Sequence, residues 1–127
     1  MSLAAWTPRV LSVMRFVAGL LFLMHGTQKL FGWPVRASGS GPEFFSQMFV
    51  GGMIEIVGGA LIMIGLFTRP AAFVCSGMMA VAYFQFHAPG NFFPILNRGE
   101  GAILFCFVFF YLIFAGPGPW SLDAKRK

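Results

Sequence analysis

The chain has 127 residues, of which 57% are hydrophobic and 10% charged, against roughly 25% charge in ordinary soluble domains. That balance excludes a soluble globular domain and leaves one membrane domain. The net charge of +5 does not mark a nucleic-acid binder: apart from Lys125, Arg126 and Lys127, the basic residues stand singly near segment ends, which suits a membrane surface.

Four apolar stretches, about 8–32, 43–68, 70–88 and 99–116, each approach the roughly 20 residues that cross a bilayer core. The expected fold is an all-α integral membrane protein, a four-transmembrane-helix antiparallel bundle filling residues 1–127, with a basic tail over 117–127. Arg9 and Arg15 precede the first apolar run as in a secretory signal, but the polar bulk of His25 to Lys29 stands where small residues would precede cleavage. The first stretch is therefore expected to be retained.

Thr7 and Pro8 read as an N-cap and first-turn proline, opening a helix that stops near Phe31, before Gly32, Trp33 and Pro34. Arg15 is expected to snorkel to the headgroups. Further on, His25, Gln28 and Lys29 share a helix face in an otherwise hydrocarbon-like segment, and such a face turns inward toward a partner or a cavity.

The stretch WPVRASGSGP (33–42) is expected as a loop outside the hydrocarbon, with Glu43, Phe44 and Phe45 starting the second helix at the interface. Within that helix Gly51, Gly58 and Gly65 recur every seven residues with Gly52 and Gly59 beside them, a seam for close packing. Packing explains the glycines. It does not explain Glu55 among them.

Phe67 to Pro70 reads as a tight turn into a third helix with a small-residue strip, Ala72, Ser76 and Ala80, ending at Gln85, Phe86 and His87. Ala88 to Arg98 is a connection in which Phe92 and Phe93 are expected as a lid over the interface. Gly99 and Glu100 open an uncharged, lipid-exposed fourth helix, which ends at GPGP before Trp120 at headgroup level.

Cys75 and Cys106 fall on the third and fourth helices at depths that rise per residue puts several ångströms apart. Two structural thiols are expected, with no disulfide. No nucleotide-binding glycine pattern, zinc-type cysteine pairing or Glu-x-x-His pair occurs, and His25 and His87 differ by roughly two helical turns in depth, too far for a bis-histidine haem. No metal is expected, a single ion on His25, Glu55 and Glu100 being the weaker alternative.

Four spans put both termini on one side with Arg9, Arg15, Arg69 and the Lys125 to Lys127 cluster, and Lys29, Arg36 and Arg98 on the other. The positive-inside rule then makes the termini cytoplasmic. His25, Gln28, Lys29, Gln85, His87, Arg98 and Glu100 gather toward the outer half, and side chains slanting toward their own N-termini bring Lys29 and His87 down and Glu55 up. A polar cavity opening to the non-cytoplasmic face is expected, with Glu55 and Lys29 paired inside it. A purely structural ion pair fixing helix register is the equal competitor.

These residues resemble the DoxX family of small four-helix bacterial membrane proteins. The resemblance rests on GLLFLMHGTQKLFG from Gly19 with Arg15 ahead of it, G-x-x-E-x-x-GG from Gly52 to Gly59, GLFTRPAA from Gly65, NRGEGA from Asn97 and GPGPWSLD from Gly116. It covers nearly the whole chain. Lys29, Glu55 and Glu100 match polar positions of the family pattern, and Gln28, His25 and His87 are carried over with them.

The resemblance implies a redox-associated inner-membrane subunit, since relatives are linked to a thiosulfate:quinone oxidoreductase and to thiol-stress systems. The expected function is binding of a quinone or similar small lipophilic ligand, with Glu55, Lys29 and His25 as the catalytic set that donates hydrogen bonds or relays protons. Gln28, Gln85, His87, Arg98 and Glu100 are the expected ligand-binding residues. The chain holds no evident electron carrier, so turnover would need a soluble or membrane redox partner. The alternative is a transport, binding or scaffold module without chemistry, in which the glycine seams serve homo-oligomers.

Overall fold

The computed structural model describes residues 2–35 and 46–126. The expected loop from Arg36 onward, and the helix start at Glu43, Phe44 and Phe45, lie outside these residues. The described chain is helical throughout: a 3-10 turn Leu3–Trp6, α1 Thr7–Phe31, α2 Gln47–Ile64, α3 Thr68–Ala82, a π-helical turn Tyr83–His87, a 3-10 turn Ala88–Gly90, α4 Pro94–Asn97, α5 Glu100–Ala115 and α6 Leu122–Lys125. Among the described residues there is no strand.

Three helical runs, Leu3–Phe31, Gln47–Ile64 and Thr68–Gly90, are long and apolar enough to cross a membrane, with mean hydropathies of 1.6, 1.8 and 1.3. At 16 residues α5 is equally apolar but shorter. It exposes Leu104, Phe107, Phe110, Tyr111 and Phe114, as a helix facing lipid does. The two most extensive contacts join α1 to α2 and α3 to α5, and α2 meets α3 over a smaller area. Phe22 of α1 closes the bundle against α5, its ring centroid 5.5 Å from Phe105 and 4.9 Å from Phe109.

The α1–α2 seam uses glycine from both helices. A Cβ on Gly19 would lie 2.8 Å from the Gly59 carbonyl oxygen, and one on Gly26 would lie 2.8 Å from that of Gly52. Both helices thus place glycines seven residues apart, and backbone meets backbone. The seam expected on Gly51, Gly58 and Gly65 is corrected: only the neighbouring Gly52 and Gly59 face α1, Gly51 has nothing within 4 Å of a Cβ and Gly65 ends the helix against Ser121, and the partners on α1 were not anticipated. Gly58 faces away from α1, toward Cys75 Sγ.

Helix ends follow local chemistry. Gly32 and Gly65 close α1 and α2 in the left-handed conformation, at φ 69° and 73°. Ser46 caps α2, its Oγ accepting from the Phe49 N–H at 3.2 Å. Thr7 is not the cap of α1: the preceding 3-10 turn has already brought it to helical geometry, so no cap is needed there.

Arg15 corrects the reading of a snorkelling anchor. It is 3% exposed, and its guanidinium donates to the carbonyls of Ile62 (2.9 Å), Met63 (3.3 Å), Trp120 (2.9 Å) and Pro117. The last carbonyls of α2 lack the full set of partners inside the helix, Ile62 taking only the capping N–H of Gly65 at 3.1 Å, and a planar five-donor cation adds to them while also binding the segment after α5. At the same end Arg69 Nη1 donates to Ile113 and Phe114 carbonyls in the last turn of α5, and Asp123 accepts from the Phe67 and Thr68 N–H groups at the start of α3. The GPGPWSLD segment is therefore a clasp over three helix ends.

The cysteines are unpaired, but not because of depth. Ser76 donates to the Cys106 carbonyl at 2.8 Å and lies 3.6 Å from Cys106 Sγ, so Cys75, its neighbour, is nearly level with Cys106. Cys75 faces Gly58 of α2 while Ser76 faces α5. Successive helix residues diverge by about 100°, and that angle separates the thiols.

Candidate functional site

A cavity of about 360 Å³ opens between α1, α2, α3 and α5. This is the size range of small-ligand sites, and its walls combine Phe22, Phe105, Met78 and Met79 with His25, Lys29, Glu55, His87 and Arg98. Two larger hollows lie elsewhere. One of about 730 Å³ between the outer faces of α2 and α3 is almost wholly apolar, and one of about 620 Å³ beside Arg69 and Asp123 lies at the clasp. Size alone would favour these, but the convergence of ionisable groups favours the smaller cavity.

At its heart Lys29 Nζ donates to Glu55 Oε1 at 2.7 Å. The Glu55 side chain is 2% exposed and that of Lys29 33%, and both residues line the cavity. Gly52 and Gly59 pack against α1 and Gly58 against Cys75 of α3, so small residues flank Glu55 toward both helices and let them approach closely.

His25 lies one turn before Lys29, its Nδ1 2.8 Å from the Leu21 carbonyl and its ring edge-on to Phe105 at 5.6 Å. His87 comes from the π-helical turn. Its Nδ1 lies 3.0 Å from the Asn97 carbonyl and its ring stacks on Tyr83 at 6.3 Å. Asn97 Nδ2 in turn donates to the Tyr83 hydroxyl at 3.0 Å and to the Asn91 carbonyl at 2.9 Å. Gly99 is needed beside this network, because a Cβ there would lie 2.5 Å from the Tyr83 ring. Arg98, between Asn97 and Gly99, adopts φ 63° and borders the cavity.

The structure thus brings together five of the eight anticipated residues. Gln28, Gln85 and Glu100 do not border the cavity. Gln28 Nε2 donates to the Val35 carbonyl at 3.1 Å, closing the segment after α1 instead. Gln85 is exposed and pairs with Gln47, its Nε2 3.4 Å from Gln47 Oε1, so Gln47 rather than Gln85 borders the cavity. Glu100 is exposed in the first turn of α5, where a carboxylate suits the helix dipole. Phe92 and Phe93 meet edge to face at 5.3 Å and do not border the cavity.

His25 and His87, expected two turns apart in depth, both border the cavity, His87 from the π-helical turn that follows α3. Tyr83, Asn97 and Gln47 were missed, and periodicity offers no signal for a π turn. Among the described residues no three His, Cys, Asp or Glu side chains converge as a metal site.

The model of the DoxX family matches residues 10–88. A protein of Haemophilus influenzae, described only as uncharacterized, is 42% identical over 98% of this chain and 96% of its own length. An uncharacterized membrane protein of Mycobacterium tuberculosis is 30% identical over 93% of this chain and 81% of its own. No solved structure matches the chain significantly. The family match spans the α1–α2 seam, Lys29, Glu55 and His87, and the relatives extend over the clasp as well: the chain belongs to the DoxX family of membrane proteins.

Proposed function

We propose that the protein is a redox-associated membrane subunit that binds a quinone or a similar small lipophilic ligand in the α1–α2–α3–α5 cavity. One observation carries this reading: a buried carboxylate and a partly exposed lysine form an ion pair in a cavity that combines phenylalanine and methionine walls with His25, His87, Arg98 and Gln47. Intramembrane ionisable residues are expensive and mark pathways or ligand sites. The apolar walls would take a ring, Lys29 and Arg98 can donate to its oxygens, and Glu55, His25 and His87 can hold or pass protons. Electrons must come from elsewhere, because the chain carries no evident redox group. A soluble or membrane partner belongs to this reading.

The proposal includes a plasma-membrane protein with both termini in the cytoplasm. Its support is the split of six basic residues on the terminal side against three on the other. Cysteine accessibility at added sites in the clasp, measured on intact cells, tests it.

Ligand-dependent thermal stabilisation of the purified protein tests the cavity. Quinones, thiol compounds and metal ions are screened on the wild type and on Glu55→Gln and Lys29→Met. A quinone that raises the melting temperature of the wild type and of neither variant supports the reading. No stabilisation by any ligand, with both variants merely less stable, makes the pair a structural register and overturns it.

A further inference from the structure

The two histidines of the cavity are held by the same device. Each presents Nδ1 to a backbone carbonyl, His25 to Leu21 at 2.8 Å and His87 to Asn97 at 3.0 Å. A carbonyl oxygen only accepts, so in the neutral ring Nδ1 carries the hydrogen and Nε2 is left as a lone-pair acceptor. Both rings border the cavity, and among the described residues neither Nε2 has a hydrogen-bond partner.

The two rings are held unequally: His25 is exposed and relies on one carbonyl, whereas His87 is locked by its neighbours. His25 is backed by Phe105, and turning it would leave Nδ1 without the Leu21 carbonyl. His87 is stacked on Tyr83, and Tyr83 is tied through its hydroxyl to Asn97, the residue whose carbonyl anchors His87. Asn97 is fixed again by its Oδ1, which accepts from the Gly99 N–H at 2.7 Å. A closed ring of contacts therefore sets the His87 tautomer.

The other polar groups of the wall are mostly donors or already engaged. Lys29 and Arg98 only donate, Glu55 accepts from Lys29 through Oε1 and keeps acceptor capacity on its second oxygen, and the Gln47 amide is paired with Gln85. A ligand that offers only carbonyl or ether oxygens can meet the cations, but it offers no hydrogen to the two imidazole acceptors. Sites built to hydrogen-bond a ligand hydroxyl discriminate strongly against analogues that lack it.

Resting on the reading of this cavity as a site for a quinone or similar lipophilic ligand, we infer that His25 and His87 are acceptors for hydroxyl hydrogens, and that the cavity holds the hydroxylated form of such a ligand, a quinol or phenol, more tightly than its ketone or ether counterpart.

The test uses the full chain in detergent and a pair of probes that do no redox chemistry, 4-hexylresorcinol and its dimethyl ether, with a short-tailed quinone as a third ligand. Dissociation constants are measured for the wild type, His25→Leu, His87→Leu and the corresponding glutamine variants, whose amide oxygen offers an acceptor near the Nε2 position. The resorcinol is expected to bind at least about tenfold more tightly than its ether, a difference of about one hydrogen bond. Each leucine variant should bring that ratio toward one, and glutamine should restore part of it. Because the ratio is taken within one variant, a general loss of stability does not alter it. Equal binding of resorcinol, ether and quinone, or a preference that survives both leucine variants, overturns the inference and leaves the cavity reading intact. Binding of none of the three overturns both.

Discussion

Lys29 Nζ lies 2.7 Å from Glu55 Oε1, yet the two partners are unequally buried, at 33% and 2% exposure of their side chains. The pair is therefore asymmetric in what its loss exposes. Lys29→Met strands a carboxylate whose side chain is 2% exposed, whereas Glu55→Gln leaves a lysine whose side chain is 33% exposed. Removing one partner of a buried pair costs about 3–5 kcal/mol, while replacing both is often close to neutral. Unfolding in mixed micelles should rank Lys29→Met as the least stable, Glu55→Gln as intermediate and the double variant above Lys29→Met. Equal losses in the two single variants would contradict the asymmetry.

The glycine seam makes a second prediction. A Cβ on Gly59 would lie 2.7 Å from the Leu23 nitrogen and 2.9 Å from the Gly19 carbonyl oxygen, all backbone atoms that no rotamer change can move. Gly59→Ala should lower stability by about 1–3 kcal/mol through forced separation of α1 and α2. Gly77, also helical, has nothing within 4 Å of such a Cβ, so Gly77→Ala should be neutral or stabilising by up to about 1 kcal/mol. Thermal melts of the two variants side by side check the contrast.

Arg15 distinguishes burial from snorkelling. A snorkelling cation is replaced by lysine at little cost, because only its charge at the headgroups matters. Here the guanidinium bridges carbonyls from two separate chain segments, and an ammonium cannot span them. Arg15→Lys should cost at least about 1.5 kcal/mol, the lower end for a hydrogen bond to a charged group. Limited proteolysis should cut the C-terminal segment of that variant faster than in the wild type.

Asp123 gives the clasp a pH dependence. Burial pushes its carboxyl up, but the N–H groups of Thr68 and Phe67 and the nearby Arg126 together hold it below the ordinary 3.8. A group whose folded value is depressed binds its proton more readily when unfolded. Its contribution is complete above the ordinary value and is lost as pH falls from there through the depressed one. Melting temperature should therefore drop more steeply with acid, in the window below 3.8, for the wild type than for Asp123→Asn.

The cavity residues were legible to different degrees for physical reasons. Glu55 stood out because a carboxylate between glycines in an apolar run has no packing explanation, and His25 and Lys29 because i and i+4 positions share a helix face. Gln28 shares that face by sequence, but it lies in the last turn of α1, where the reversal at Gly32 brings the Val35 carbonyl within its reach. Glu100 and Gln85 carry the right chemistry at helix ends that the bundle turns outward. His87 lines the cavity from a π-helical turn, a backbone form that hydrophobic periodicity does not signal.

What the sequence by itself determined was the membrane class, the all-helical fold, the presence of closely packing glycines on α2 and the end of the bundle where the cavity's polar groups collect. Hydropathy and helical period are properties of neighbouring residues, and they survive whatever the helices pack against. Tertiary structure alone decided that Gly19 and Gly26 answer the seam, that Arg15 closes the ends of two segments from within, and that Cys75 and Cys106 lie level yet face apart. Those outcomes depend on the rotation and register of one helix against another, and on which carbonyls at a helix end are left without a partner.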